Sequence, residues 1–143
     1  IQEDANAAAR RQKDLDLTYV DPPYNQHPYG SNYFMLNLVA RYERPAAVSR
    51  VSGIPAGWKR SGYNRRADAL RLLRELVAAL DAPIVLVASS DEGFVPPAAM
   101  RAMLAGFGTV DAVATPHAAF RGSRRPRRPA RPVSEHLFWL EKR

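Results

Sequence analysis

Leu15-Asp16-Leu17-Thr18-Tyr19-Val20-Asp21-Pro22-Pro23-Tyr24 is the stretch from which the fold of this chain is read. Its first six residues alternate and then turn apolar, the pattern of a β-strand. The double proline then removes the ladder donors that a continuing strand needs. The strand ends by delivering the Asp21 carboxylate at its carboxyl end. In open α/β sheets, ligands sit at that end.

On the upstream side, residues 4–13 are rich in Ala and Arg, with Asp4 placed to cap or charge the start of a short helix. Downstream, residues 24–63 hold Gly, Pro and many aromatics, and residues 31–41 form a helix candidate with Phe34, Leu38 and Arg41 on one side. The clearest helix spans 65–80, where Leu70, Leu73, Val77 and Leu80 recur at spacings of three and four. Pro83 breaks it. Residues 84–88, Ile-Val-Leu-Val-Ala, are continuously apolar, as in a strand buried on both faces of a parallel sheet. Pro97 opens a helix over 98–105, closed by Gly106 and Gly108. Residues 109–115 and 136–140 are two further strands, joined by a Pro/Arg-rich loop. Strand, helix, strand, helix, strand predicts an α/β layer structure with a parallel sheet, and the last two strands, lacking a helix between them, a closing antiparallel hairpin. No internal repeat is visible.

Composition narrows the class. A chain of 143 residues with 46% hydrophobic content suits one small globular domain. No apolar run reaches the roughly 18 residues of a membrane span, and residues 1–13 lack the apolar core of a signal peptide. Cysteine is absent, which excludes disulfides and thiolate metal sites and fits a cytoplasmic location. His27, His117 and His136 are scattered, so no metal site is expected. The net charge is +7, and its distribution says more than its size. Six arginines (121, 124, 125, 127, 128 and 131) and no acid fall between Arg121 and Arg131; without them 15 basic residues face 14 acidic ones. One concentrated basic segment is the footprint of a polyanion partner such as nucleic acid, and equally of a solvated basic loop.

Asp21-Pro22-Pro23-Tyr24 has a chemistry of its own. The exocyclic amine of adenine is a poor nucleophile, because its lone pair is delocalised into the ring. Acceptors around the NH2 help it take the tetrahedral geometry that attacks a methyl group. Asp21 supplies a carboxylate acceptor, and the Pro22-Pro23 turn offers carbonyls without competing N–H groups. Tyr24 supplies a flat face for a base that has left the duplex. Direct transfer needs no nucleophilic Cys, and the chain has none, which argues against methylation of a cytosine ring carbon. The plain alternative is a Pro-Pro turn after a strand with Tyr24 as packing.

The segment from Asp14 to Tyr42, centred on this tetrapeptide, resembles the motif IV region of Dam-like adenine-specific DNA methyltransferases. Ser89-Ser90-Asp91-Glu92-Gly93-Phe94 is similar to that family's Ser-Asn-Glu-Gly-Phe turn, with Asp91 in place of Asn. Phe120-Arg121-Gly122-Ser123-Arg124 resembles its aromatic-basic-Gly segment, and Glu135-His136-Leu137-Phe138-Trp139-Leu140 its final strand. The resemblance implies a Rossmann-like sheet ending in a reversed hairpin, S-adenosylmethionine as methyl donor, no metal, and an adenine flipped from double-stranded DNA as acceptor. By position, Asp21 would meet both the donor and the adenine amine, the Pro22 carbonyl would hold the amine, Pro23 would complete the turn and Tyr24 would stack on the base. Tyr29 and Asn32, in the loop with Ser31 and Tyr33, together with Arg121, Arg124 and Arg125, are the candidate DNA contacts. The arginines would meet phosphate, which fixes register without reading sequence.

The family's Phe-x-Gly-x-Gly donor-binding loop and its target-recognition region lie N-terminal to this motif, whereas only 20 residues precede Asp21 here. Gly106-Phe107-Gly108 ends a helix and opens a strand, the reverse of a nucleotide-cradling loop. The expectation is that residues 1–143 are the C-terminal half of a partial S-adenosylmethionine-dependent methyltransferase sheet, completed by an N-terminal half or a partner subunit. The competing expectation is a catalytically inactive nucleic-acid-binding module; a methyltransferase for protein or RNA amines is a third. Ser89 and Ser90 lack the setting of a hydrolase nucleophile and are turn residues. Glu92 and His136 are structural, His27 is a further candidate DNA contact, and Trp58 and Lys59 have no readable role.

Overall fold

A computed structural model describes residues 3–51, 53–55, 61–118 and 132–143. Helix α1 (Ala5–Arg11) starts where the sequence places it, with the Asp4 side chain accepting from Ala7 N–H at 3.0 Å. Strand β1 (Leu17–Val20) stops at Asp21. The single helix expected over 31–41 is two, α2 (Tyr29–Asn32) and α3 (Phe34–Arg41), broken at Tyr33. Phe34 and Leu38 are half-buried as their spacing suggests, while Arg41 is exposed.

A 3-10 turn (Gly62–Asn64) leads into α4 (Arg66–Ala79), which buries Leu73, Leu76 and Val77. Strand β2 (Ile84–Ser90) follows, then α5 (Pro97–Ala105), β3 (Gly108–Ala118) and β4 (Pro132–Lys142). The sheet order is β1-β2-β4-β3. β1 and β2 are parallel, while β4 inserts between β2 and β3 and runs antiparallel to both. This is the α/β sheet with a reversed C-terminal hairpin. What the sequence did not give is that the last strand enters the middle of the sheet.

Register and alternation divide the side chains between two faces. One face carries Val20, Val85, Val87, Phe138 and Leu140, which form the core with α1, α4 and α5 through Ala9, Leu73, Leu76, Val77, Met100, Met103 and Leu104. The other face carries Leu17, Tyr19, Val113 and Trp139, all exposed. β2 is therefore buried on one face and half-buried on the other, short of the two-sided burial that its unbroken apolar run predicts.

One close approach knits the hairpin together, and one side chain ties it to the helical layer. A Cβ on Gly108 would fall 1.9 Å from the Glu141 carbonyl oxygen, so this glycine serves the close approach of β3 to β4. The Lys142 ammonium donates to the Val77 and Leu80 carbonyls at 2.9 and 2.6 Å, satisfying the open C-terminal end of α4. No helix among the described residues is long and apolar enough to cross a membrane.

Candidate active site

Asp21, Pro22, Pro23 and Tyr24 form the first turn beyond the carboxyl end of β1. The Asp21 carboxylate is exposed, whereas Pro22, Pro23 and Tyr24 are half-buried. Asp21, Pro22, Pro23 and Tyr29 open onto a cleft of about 970 Å³. Its other wall is α1 and the outer edge of β1, including Thr18 and Tyr19. Among the described residues β1 has a ladder partner on one side only, β2, so this cleft runs along a sheet edge that none of them pairs. The Thr18 hydroxyl is buried against the cleft and has no hydrogen-bond partner among the described residues.

The electrostatics favour neutral phenols beside a carboxylate. Burial, and then the charges of Glu135, Glu92 and Asp21, push the Tyr24 phenol above its ordinary value. Burial and then the Asp21 charge do the same for Tyr29. Both phenols thus stay uncharged at neutral pH.

Two neighbouring elements hold the backbone of this turn. The Phe94 N–H donates to the Tyr24 carbonyl at 2.7 Å. The Asn64 side-chain amide donates to the Asn25 carbonyl at 2.8 Å. Gly93 permits the first contact: a Cβ there would lie 2.9 Å from the Ser90 carbonyl oxygen and 3.5 Å from Tyr24 Cβ. The turn that carries Phe94 is itself pinned to β4. Asp91 exchanges backbone and side-chain bonds with Ser134, and its carboxylate lies 2.8 Å from His136 Nε2. These bonds hold the Asp91 carboxyl below the usual range, the His136 contact most strongly.

The residues named from sequence are distributed as follows. Tyr29 and Asn32 lie exposed on α2, directly beyond the tetrapeptide, with the Tyr29 and Tyr33 rings 5.9 Å apart. His136 is structural and bonded to Asp91. Ser89 and Ser90, expected as turn residues, instead end strand β2, paired with His136 and Glu135 of β4; both are buried, the Ser90 hydroxyl 3.4 Å from Glu92 N–H and the Ser89 hydroxyl unpartnered among the described residues. Arg121, Arg124, Arg125, Trp58 and Lys59 lie outside the described residues. Among those described, no group of three or more His, Asp or Glu side chains is placed to hold a metal ion. Gly106-Phe107-Gly108 spans the junction of α5 and β3, the strand at the opposite edge of the sheet from β1. Phe94 belongs to the Ser89–Phe94 segment read from the sequence, but its hold on Tyr24 is not legible there, and nothing in the sequence marks Asn64, because each acts on a main-chain carbonyl far away along the chain.

Comparison with known proteins bears on the same segment. Residues 1–55 match the family model of D12 class N6 adenine-specific DNA methyltransferases. The chain is similar to the type II methyltransferase M.NlaIII of Neisseria lactamica, 30% identical over 129 residues that cover 89% of this chain and 38% of that protein. The type II methyltransferase M.CviAII of Paramecium bursaria Chlorella virus 1 is 29% identical over 126 residues, 87% of this chain and 37% of the relative. The modification methylase StsI of Streptococcus sanguinis is 28% identical over 150 residues, covering 100% of this chain and 22% of its own length. The chain thus spans less than two fifths of the length of these curated relatives. No solved structure matches it. The likeness to adenine-specific DNA methyltransferases thus covers residues 1–55, and the likeness to type II methyltransferases covers nearly the whole chain.

Proposed function

We propose that this chain is the acceptor-side portion of a site-specific DNA adenine methyltransferase, transferring a methyl group from S-adenosylmethionine to the exocyclic amine of a flipped adenine. The observation that carries the proposal is the Asp21 carboxylate, exposed at the carboxyl end of β1 and opening with Tyr29 onto one cleft. In this reading Asp21 and the Pro22 carbonyl accept the two amine hydrogens and draw the nitrogen lone pair out of the ring. Tyr24 stacks on the base, and the proton lost on methylation leaves by way of Asp21 or water. Catalysis is positioning and electrostatics. Tyr29 and Asn32 touch the DNA around the flipped base, and Arg121, Arg124 and Arg125 neutralise phosphates.

The donor fits the described residues only in part. Asp21 is placed to meet it, and no glycine loop beside β1 cradles the rest. We assign that loop and the target-recognition region to the remainder of a longer enzyme, as an N-terminal half or a partner subunit acting in the cytoplasm. The relatives' additional length supports this, as do the exposed sheet face and the edge of β1 that pairs with no other strand among the described residues.

The test is to supply the remaining part and measure methyl incorporation into adenine of duplex DNA. Asp21→Ala should abolish incorporation while leaving the circular dichroism of the chain unchanged. Undiminished activity in that variant removes the assignment. DNA binding without donor binding, once the completing part is present, favours the inactive nucleic-acid-binding module instead.

A further inference from the structure

We propose that Asn64 is a positioning residue of the tetrapeptide turn, holding the backbone beyond Tyr24 against a rigid mount in the core. Its catalytic meaning rests on the methyl-transfer reading, but the clamp itself does not.

Pro22 and Pro23 have no N–H groups, so this turn has few donors with which to fix itself. Its carbonyls must be held from outside. Two successive ones are: Tyr24 by Phe94 N–H at 2.7 Å and Asn25 by the Asn64 amide at 2.8 Å. The two donors belong to different elements, the β2–α5 turn and the 3-10 turn before α4, so the strand end is gripped by both.

Asn64 is 8% exposed, and both ends of its amide are used. Its Oδ1 accepts from Ser61 N–H at 3.3 Å while its Nδ2 reaches Asn25. The neighbouring Tyr63 fixes the mount. Its ring is in the core, and its hydroxyl donates to Asn6 Oδ1 at 2.6 Å, with the Leu72 carbonyl at 3.2 Å. At the start of α4, two residues beyond Asn64, the Arg66 guanidinium lies over the Phe94 ring at 5.0 Å from its centroid, tying the helix that follows the 3-10 turn to the β2–α5 turn. The Tyr24 ring is carried on the backbone so held. A displacement of about 1 Å at a reacting centre costs on the order of a hundredfold in rate, so the grip on this backbone sets how well the ring and the Asp21 carboxylate are aimed.

The reporter is the Phe94 amide, whose partner is the Tyr24 carbonyl. Asn64→Asp keeps the shape and the acceptor for Ser61 N–H but loses the donor to Asn25. Amide hydrogen exchange is measured by NMR on the 143-residue chain. The variant should speed Phe94 exchange roughly three- to tenfold, the worth of one net hydrogen bond, while Leu86 and Val87 in β2 keep their protection. Unchanged protection at Phe94 overturns the proposal. If the buried charge of Asn64→Asp loosens β2 as well, Asn64→Ser gives the decision. Its hydroxyl still accepts from Ser61 N–H but is too short for Asn25, and the same two outcomes apply. In the completed enzyme the variant should lower kcat with little change in KM for DNA. An inactive wild-type completed enzyme sinks the methyl-transfer reading while the exchange result stands by itself.

Discussion

Two adjacent rows of side chains cross the same three strands and end in different surroundings. Val20, Val87 and Phe138 stand side by side on one face, and Phe138 is 2% exposed. Tyr19, Leu86 and Trp139 stand one residue away on the other; Trp139 is 43% exposed and Tyr19 58%. The rows do not differ in apolar character. They differ in what lies over them: α1, α4 and α5 contribute to the core on the first face, while the exposed residues of the second meet solvent. A sheet with parallel strands and apolar residues on both faces is written for cover on both. The exposed face, and the edge of β1 that pairs with no other strand among the described residues, are therefore where we propose that a completing part of the proposed methyltransferase packs.

The contrast breaks most sharply at Phe138 and Trp139. Phe138→Ala should cost the isolated chain about 3–5 kcal/mol, as other buried aromatic truncations do. Trp139→Ala, its neighbour in sequence, should cost under about 0.5 kcal/mol, as surface changes do. Urea unfolding of the two variants measures both. Comparable losses would mean that the second face is covered already. With the proposed completing part bound, Trp139→Ala should become the costlier change that burial implies, and an unaltered cost there removes that proposed placement.

A smaller effect is expected at the edge of the packed layer. Tyr63→Phe keeps the ring and removes the hydroxyl that serves Asn6 Oδ1, leaving a buried acceptor short of its donor at a cost of about 1–3 kcal/mol. Burial, then the charges of Asp4 and Glu75, push the Tyr63 phenol from 10.0 up to about 12. The folded state thus holds its proton more tightly than the unfolded chain. The stabilisation is complete below pH 10 and is lost as pH rises from 10 toward about 12. Denaturation midpoints followed across that window should show the alkaline loss in the wild type and less of it in Tyr63→Phe. Parallel curves would contradict the assignment.

How much of this was legible follows the range of each interaction. Helices α1, α4 and α5 were readable because caps and three-to-four spacing act within a few residues. The strand before Asp21 and the tetrapeptide were readable because proline punctuates locally. The break at Tyr33 was not, since α3 buries none of its residues and no packing sharpens its pattern. The one-sided burial of β2 was not either, because an unbroken apolar run records what a strand is suited to meet and not what is present over it. The holds made by the Asn64 amide and the Phe94 N–H, and the insertion of β4 between β2 and β3, depend on partners distant in sequence, and a donor aimed at a carbonyl leaves no mark on the residue that carries it.

The smallest predicted effect lies where the packed face ends, at His136. Asp91 reaches it from the turn after β2, and the His136 contact, then the Ser134 N–H, hold the Asp91 carboxyl below 3.8. The folded state therefore binds that proton more weakly than the unfolded chain does. The contribution is fully present above pH 3.8 and disappears as pH falls through the lowered folded value. Asp91→Asn keeps an acceptor for Ser134 N–H and gives up the charge. The variant should sit slightly below the wild type near neutral pH, and the two urea midpoints should converge as pH falls through the lowered folded value. A gap that stays constant would show that the staple works through shape alone, and that the carboxylate at this position, where the resembling family carries Asn, adds no charge-dependent hold on the turn that carries Phe94.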